Sequence, residues 1–182
     1  MAKNIVKIED CKGLTLLPLD NVELYFNDFA FDVEKEILRG VDSTDFGLLG
    51  DEEYINLQTD LNANGVPQTS KYTNLVNGVN YVSSNGKNTI FCGIKVMLSY
   101  FVYSEYVKRN RLANVQSGTV KMAYENSELA EIKNVRYEAH LRWNKGVDLF
   151  NGEVYDYILF NQSSFLNWDF TKQSKFIIHG IR

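Results

Sequence analysis

The chain has 182 residues, 45% of them hydrophobic, 13% aromatic and 23% charged, with a formal net charge of -4. This is the balance of an ordinary globular protein long enough for one core, and it lacks the basic excess of a dedicated nucleic-acid binder. Cys11 and Cys92 are far apart, with no second thiol near either, so no disulfide framework is implied and reduced thiols are expected.

Met1-Ala2-Lys3-Asn4 is not followed by the apolar stretch of a signal peptide, which points to synthesis in the cytosol. Lys3 to Glu9 alternates moderately and Pro18 closes the run after Leu17, a pattern that predicts a strand-like N-terminal arm over residues 1–19. Asp20 is placed to cap a helix, or two short ones, in which Val22, Tyr25, Phe26, Phe29 and Val33 recur at three and four, continuing through Ile37 and Leu38 to Gly40. Val41 to Gly50 reads as turn. Asp51 opens a second amphipathic helix with Tyr54, Ile55, Leu57 and Leu61, ended by an exposed loop from Asn62 to Pro67. Tyr72 to Val76 suits one helical turn.

Val79 to Val82 and Asn88 to Phe91 flank Ser83-Ser84-Asn85-Gly86-Lys87, and Asn-Gly between apolar runs predicts a β-hairpin over about 79–91. The hairpin leads into a helix expected over about 90–111. Between Ile94 and Val107 its apolar and aromatic residues are too numerous for one stripe, so it must be wrapped on most sides. The run is too short, and too often interrupted by Lys95, Ser99, Ser104 and Glu105, to span a membrane. Leu112 to Lys121 reads as an extended connection. Asn126 or Ser127 then caps a long helix over about 126–151, with a core stripe of Leu129, Ile132, Ala139, Trp143, Val147 and Phe150 and with Arg136 in its polar slot. Asn151-Gly152 is expected to break it before Glu153 to Phe160 resumes a helical pattern. Gln162 to Asp169 is loop-like, and Lys175 to Ile181 predicts a C-terminal strand.

The expected fold is mainly α. A helical bundle surrounds the buried helix and the long helix, with the hairpin inserted and with extended N- and C-terminal arms. It forms a single domain over 1–182, with a core over 20–165 and a C-terminal arm or strand over 166–182. Extended termini pair with each other or exchange between subunits.

Chemistry-bearing residues do not converge. His140 and His179 have no partner at metal-ligand spacing, so no metal is expected, and no cofactor. Asp51-Glu52-Glu53 suits a helix start better than acid–base work. Gly47-Leu48-Leu49-Gly50 lacks the Lys-Ser/Thr of a phosphate loop, and Ser163-Ser164 lies in no nucleophile elbow, so no catalytic residue is expected and the chain reads as a non-enzyme. Lys108, Arg109 and Arg111 form the clearest basic cluster and are candidate phosphate contacts, although cations at a helix end also serve as plain caps.

Phe46 to Tyr54 (FGLLGDEEY), Tyr72 to Tyr81 (YTNLVNGVNY), Gly93 to Val107 (GIKVMLSYFVYSEYV), Ser117-Gly118-Thr119-Val120 and Glu125-Asn126-Ser127-Glu128 occur in an order and spacing that resemble the head-to-tail connector (neck ring) proteins of tailed bacteriophages, including the crAss-like phages of Bacteroides hosts. The resemblance spans roughly Asp32 to Asn161 and departs from the pattern at Asp42-Ser43-Thr44-Asp45, which lengthens a turn. It implies a structural virion protein without catalytic residues, located in the phage neck as a homo-oligomeric ring of twelve copies. Its expected partners are the portal protein and other neck or tail proteins, and packaged DNA passes through the channel without sequence-specific binding or any membrane. Val79, Tyr81, Val82, Asn85, Gly86 and Ile90 are the expected subunit or portal interface. A tail-completion or tail-hub adaptor, and a small DNA-binding regulator, are the competing readings.

Overall fold

Residues 94, 97, 98, 101, 102 and 107 repeat at helical spacing, and Tyr103 and Ser104 add a second buried side, so a helix here needs neighbours all round. The computed structural model describes residues 3–11, 23–40, 47–116 and 125–166, and the side chains of 23–25, 109–116 and 125–135 lie outside that description. In chain order the elements are α1 (Ile8–Cys11), α2 (Glu23–Arg39), α3 (Gly50–Asp60), α4 (Ser70–Asn77), β1 (Val79–Val82), β2 (Asn88–Phe91), α5 (Ile94–Gln116) and α6 (Glu125–Leu149). A π-helical turn (Phe150–Val154), α7 (Tyr155–Phe160) and a 3-10 turn (Gln162–Ser164) follow.

The protein is mainly helical with one small antiparallel hairpin, and α5 is its axle. Helices α1, α2, α4 and α6 all pack on α5, the α5–α6 pair most extensively. Their close approach has two causes. Gly146 presents no side chain beneath the Phe101 ring, which meets Trp143 edge-on at 4.7 Å, and buried Ser104 donates from Oγ to the Ala139 carbonyl at 2.7 Å. On the opposite side, Tyr106 packs against Phe26 and Phe29, each with centroids 6.0 Å away.

Several boundaries differ from the sequence expectation. The core helix begins at Ile94 rather than near 90, because Asn88–Phe91 belong to the hairpin and Gly93 turns the chain at φ 86. It runs on to Gln116, so Leu112–Gln116 are helical rather than extended. The expected break at Asn151-Gly152 is replaced by the π-helical turn: widening it by one residue buries Phe150 and Val154 together and leaves Asn151 and Gly152 exposed, so the helix continues. Of the long helix's predicted stripe, Ala139, Val147 and Phe150 are buried and Trp143 is half-buried, while Arg136 is exposed rather than in a core slot. The side chains of Leu129 and Ile132 lie outside the described ones. Helix α4 is longer than one turn, and Ile55, counted on the apolar face of α3, is 57% exposed.

Of the expected N-terminal arm only residues 3–11 are described, and they form no strand. Ile5 and Val6 are both buried, which an alternating strand on one surface forbids, and their N–H groups donate to the two carboxylate oxygens of Glu34 at 2.8 and 2.7 Å. A side chain of α2 thus supplies the acceptors that a neighbouring strand would have offered. Asn62–Pro67 is likewise tied down: Leu61 bridges Pro67, the Asn62 side-chain oxygen accepts from the N–H groups of Asn64 and Val66, and Gly65 and Pro67 are buried. Residues 41–46, including the Asp42–Asp45 departure, and the predicted Lys175–Ile181 strand lie outside the described residues.

Candidate functional site

The hairpin is built from a pattern of period two. Val79, Tyr81 and Phe91 face inward, and Asn80, Val82, Asn88 and Ile90 face outward. The register pairs Val79 with Phe91, Asn80 with Ile90, Tyr81 with Thr89 and Val82 with Asn88. Ser83 N–H donates to the Lys87 carbonyl at 2.9 Å and Gly86 N–H to the Ser83 carbonyl at 2.8 Å, with Gly86 at φ 73. Those bonds define a three-residue loop, a β-turn followed by a left-handed glycine, rather than the two-residue Asn-Gly turn that the dipeptide first suggests. At the base, Gly78 (φ 87) and Gly93 (φ 86) bring the two junctions into backbone contact: a Cβ on Gly78 would lie 2.3 Å from the Phe91 carbonyl oxygen, and one on Gly93 would lie 2.4 Å from that of Val76.

The inner face docks on α7 through rings. Phe91 stacks on Tyr157 at 4.2 Å and 12°, and Tyr81 meets Tyr157 edge-on at 5.5 Å and Phe160 at 4.9 Å. The Tyr157 hydroxyl is held protonated, its pKa raised first by burial and then by Tyr81. Glu153, from the π-helical turn, accepts the Cys92 N–H at 3.3 Å beside the start of α5. Between the hairpin tip and α7 lies an open groove of about 710 Å³, whose walls are Tyr81, Thr89 and the loop on one side and Asp156, Leu159 and Phe160 on the other.

The predicted interface residues therefore divide. Tyr81 and Val79 serve to anchor the hairpin, Asn85 and Gly86 form its tip, and Val82 and Ile90 stand out at 53% and 70% exposure. Asp156, Leu159 and Phe160 were missed. Their signal was the Glu153–Phe160 helical pattern, whose outward residues become a groove wall only once Tyr81 is known to pack there.

The other candidates acquire structural partners. Lys108 lies within α5 rather than at its end, is ion-paired with Glu105 and has its Nζ 5.5 Å from the Trp143 ring centroid, which corrects the helix-end cluster. The side chains of Arg109 and Arg111 lie outside the described ones. Asp51 pairs with Arg39, while buried Glu53 pairs with Lys71 and accepts from the Tyr72 hydroxyl at 2.7 Å, joining α3 to α4. Gly47-Leu48-Leu49 acts as a cap: its three N–H groups donate to the carbonyls of Arg39, Ile37 and Leu38 at 3.1, 2.8 and 2.7 Å, closing the end of α2. His140 is exposed, with Nε2 3.0 Å from Asn144 Nδ2, and His179 lies outside the described residues. Both cysteines are free. The Cys11 thiol is pushed up to about 12 by burial and by the neighbouring carboxylates of Asp10, Glu34 and Glu9, and that of exposed Cys92 is raised by desolvation and by Glu153. Among the described residues no helix is long and apolar enough to cross a membrane, and no group of three or more His, Cys, Asp or Glu is placed to hold a metal ion.

Fold and site together define a helical protein that carries a rigidly anchored, outward-facing β-hairpin. The chain belongs to a family of unknown function, DUF6712, whose match covers residues 47–176 and so includes the hairpin, α5, α6 and the groove wall. Comparison with curated proteins and with solved structures gives no match.

Proposed function

We propose that this protein is a structural virion component, the subunit of a head-to-tail connector ring that joins the portal to the tail of a phage and lets the genome pass. The carrying observation is the hairpin: four aromatic rings fix its inner face to α7, and its outer face offers Val82 and Ile90 to solvent. A surface held this rigidly suits contact with another protein, since little ordering entropy is lost on binding. The order and spacing of segments that resemble those of neck ring proteins support this identity for the assembly. A ring needs two unlike patches per subunit, and exposed Tyr137 and Leu141, one helical turn apart on α6, offer a second apolar patch.

The net charge of -4 fits a channel that DNA must traverse without being gripped, because an acidic lumen repels phosphates. A particle map with a basic lumen would overturn that part of the reading. The deciding test is native mass spectrometry of the purified protein, alone and mixed with particles lacking it, together with imaging of those particles. A ring at the portal vertex is expected. A species that never docks and binds DNA in a salt-sensitive way would replace the connector with a regulator.

A further inference from the structure

Backbone geometry gives β2 a free edge of defined composition. The bond from Ser83 N–H to the Lys87 carbonyl sets the alternation of the ladder, so Val82/Asn88 and Asn80/Ile90 are the pairs that exchange no backbone bonds. The N–H and C=O groups of Asn88 and Ile90 therefore point away from β1, along the outer edge of β2. Among the described residues the sheet has two strands, so no third strand there pairs with that edge. Edge strands are blunted by prolines, charges, bulges, covering elements or short length, and of these β2 has its four-residue length and the bulged loop at Gly86. Here residues 79–91 hold no proline, and Lys87 is their single charged residue.

We propose that the outer edge of β2 accepts residues 175–181 of a second copy of this chain by strand addition. The occupant is argued from the sequence and from where the described chain stops. Lys175 to Ile181 (KFIIHGI) is a β-branched and aromatic run, unlike its polar approach, Thr171 to Ser174. Residues 167–174, when extended, reach roughly 27 Å, and they start from Leu166, which is 82% exposed just beyond α7. Alternation places Phe176 and Ile178 on one face of such a strand, matching the aromatic groove side, and Ile177 and Ile181 on the other, beside Ile90. A donated segment and an accepting edge are unlike surfaces, the requirement for head-to-tail closure. The choice of a second copy as donor rests on the ring reading, whereas the open edge does not.

Disulfide trapping in the full chain tests it, with exposed Cys92 replaced by Ser and Cys11 left in the core. An Asn88→Cys chain mixed with an Ile177→Cys chain of different mass, both positions on the outer face, should give a covalent heterodimer at least tenfold above an exposed control, Thr59→Cys paired with Ile177→Cys. Ile178→Pro, which removes a strand donor without touching the hairpin, should weaken self-association at least tenfold by sedimentation. A heterodimer yield equal to the control, or a doubly substituted chain that closes only on itself at every dilution, overturns the proposal. Rings on particles without the crosslink would sink strand addition and spare the connector; crosslinked copies that never dock would do the reverse.

Discussion

Glu34 is the residue on which the N-terminal segment hangs. Its carboxylate is fully buried among Ile5, Val6, Lys7, Asp10, Cys11 and Tyr54, and burial raises its pKa from 4.5 to about 7, against the lowering effect of the two backbone bonds. The folded state thus binds the proton more tightly than the unfolded one. This contribution to stability is complete below about 4.5 and is lost as pH rises through about 7. Chemical denaturation across that window should show unfolding free energy from this group falling as pH rises, and Glu34→Gln should flatten that part of the curve. The variant also leaves one backbone N–H poorly paired, at a cost of about 1–3 kcal/mol. Glycines allow a sharper comparison. Gly86→Ala meets open space at φ 73 and should cost only the left-handed penalty, about 1–2 kcal/mol, whereas Gly93→Ala also drives a Cβ into the Val76 carbonyl and should cost clearly more in the same denaturation assay.

At the scale of elements, the hairpin was the most legible feature, because Asn-Gly between apolar runs marks a reversal of the chain, although the loop is one residue longer than that dipeptide suggests and only the structure separates Tyr81, packed on α7, from exposed Val82. The N-terminal segment was not. Its alternation resembled a strand, and nothing local announced that a carboxylate some 28 residues away would supply its acceptors. The continuous α6–α7 helix was misread for a related reason: Asn-Gly is punctuation in isolation, but the burial of both Phe150 and Val154 overrides it. The groove wall on α7 stayed hidden because it exists only where two elements distant in sequence meet. Phe91→Ala, which removes the ring stacked on Tyr157, should lower unfolding free energy by about 3–5 kcal/mol. Deleting Ser83 to Lys87 instead should leave the far-UV circular dichroism of a folded monomer while abolishing entry into particles; normal incorporation would count against the hairpin as the contact.

For the whole molecule, the core and its accessory surface are separable. Burial concentrates on α5, whereas the exposed apolar residues lie mainly on the hairpin, α7 and α6. Association through those surfaces should therefore respond weakly to salt. If the protein is the proposed connector, raising ionic strength from 50 to 200 mM should change its self-association by less than tenfold, while a DNA-binding protein with several phosphate contacts would lose about a thousandfold or more over that range. Sedimentation and filter binding across the same salts separate the two.

The pinned base of the hairpin has a further consequence. With Gly78 and Gly93 clamped together and Tyr81 and Phe91 seated on α7, the part of the hairpin beyond Tyr81 is a closed excursion whose length the body of the protein does not sense. Each residue added to both strands carries the tip about 3.3 Å farther out. Excursion length is thus a spacer that mutation can adjust without repacking the core, so the same helical body can be fitted to neighbours at different distances.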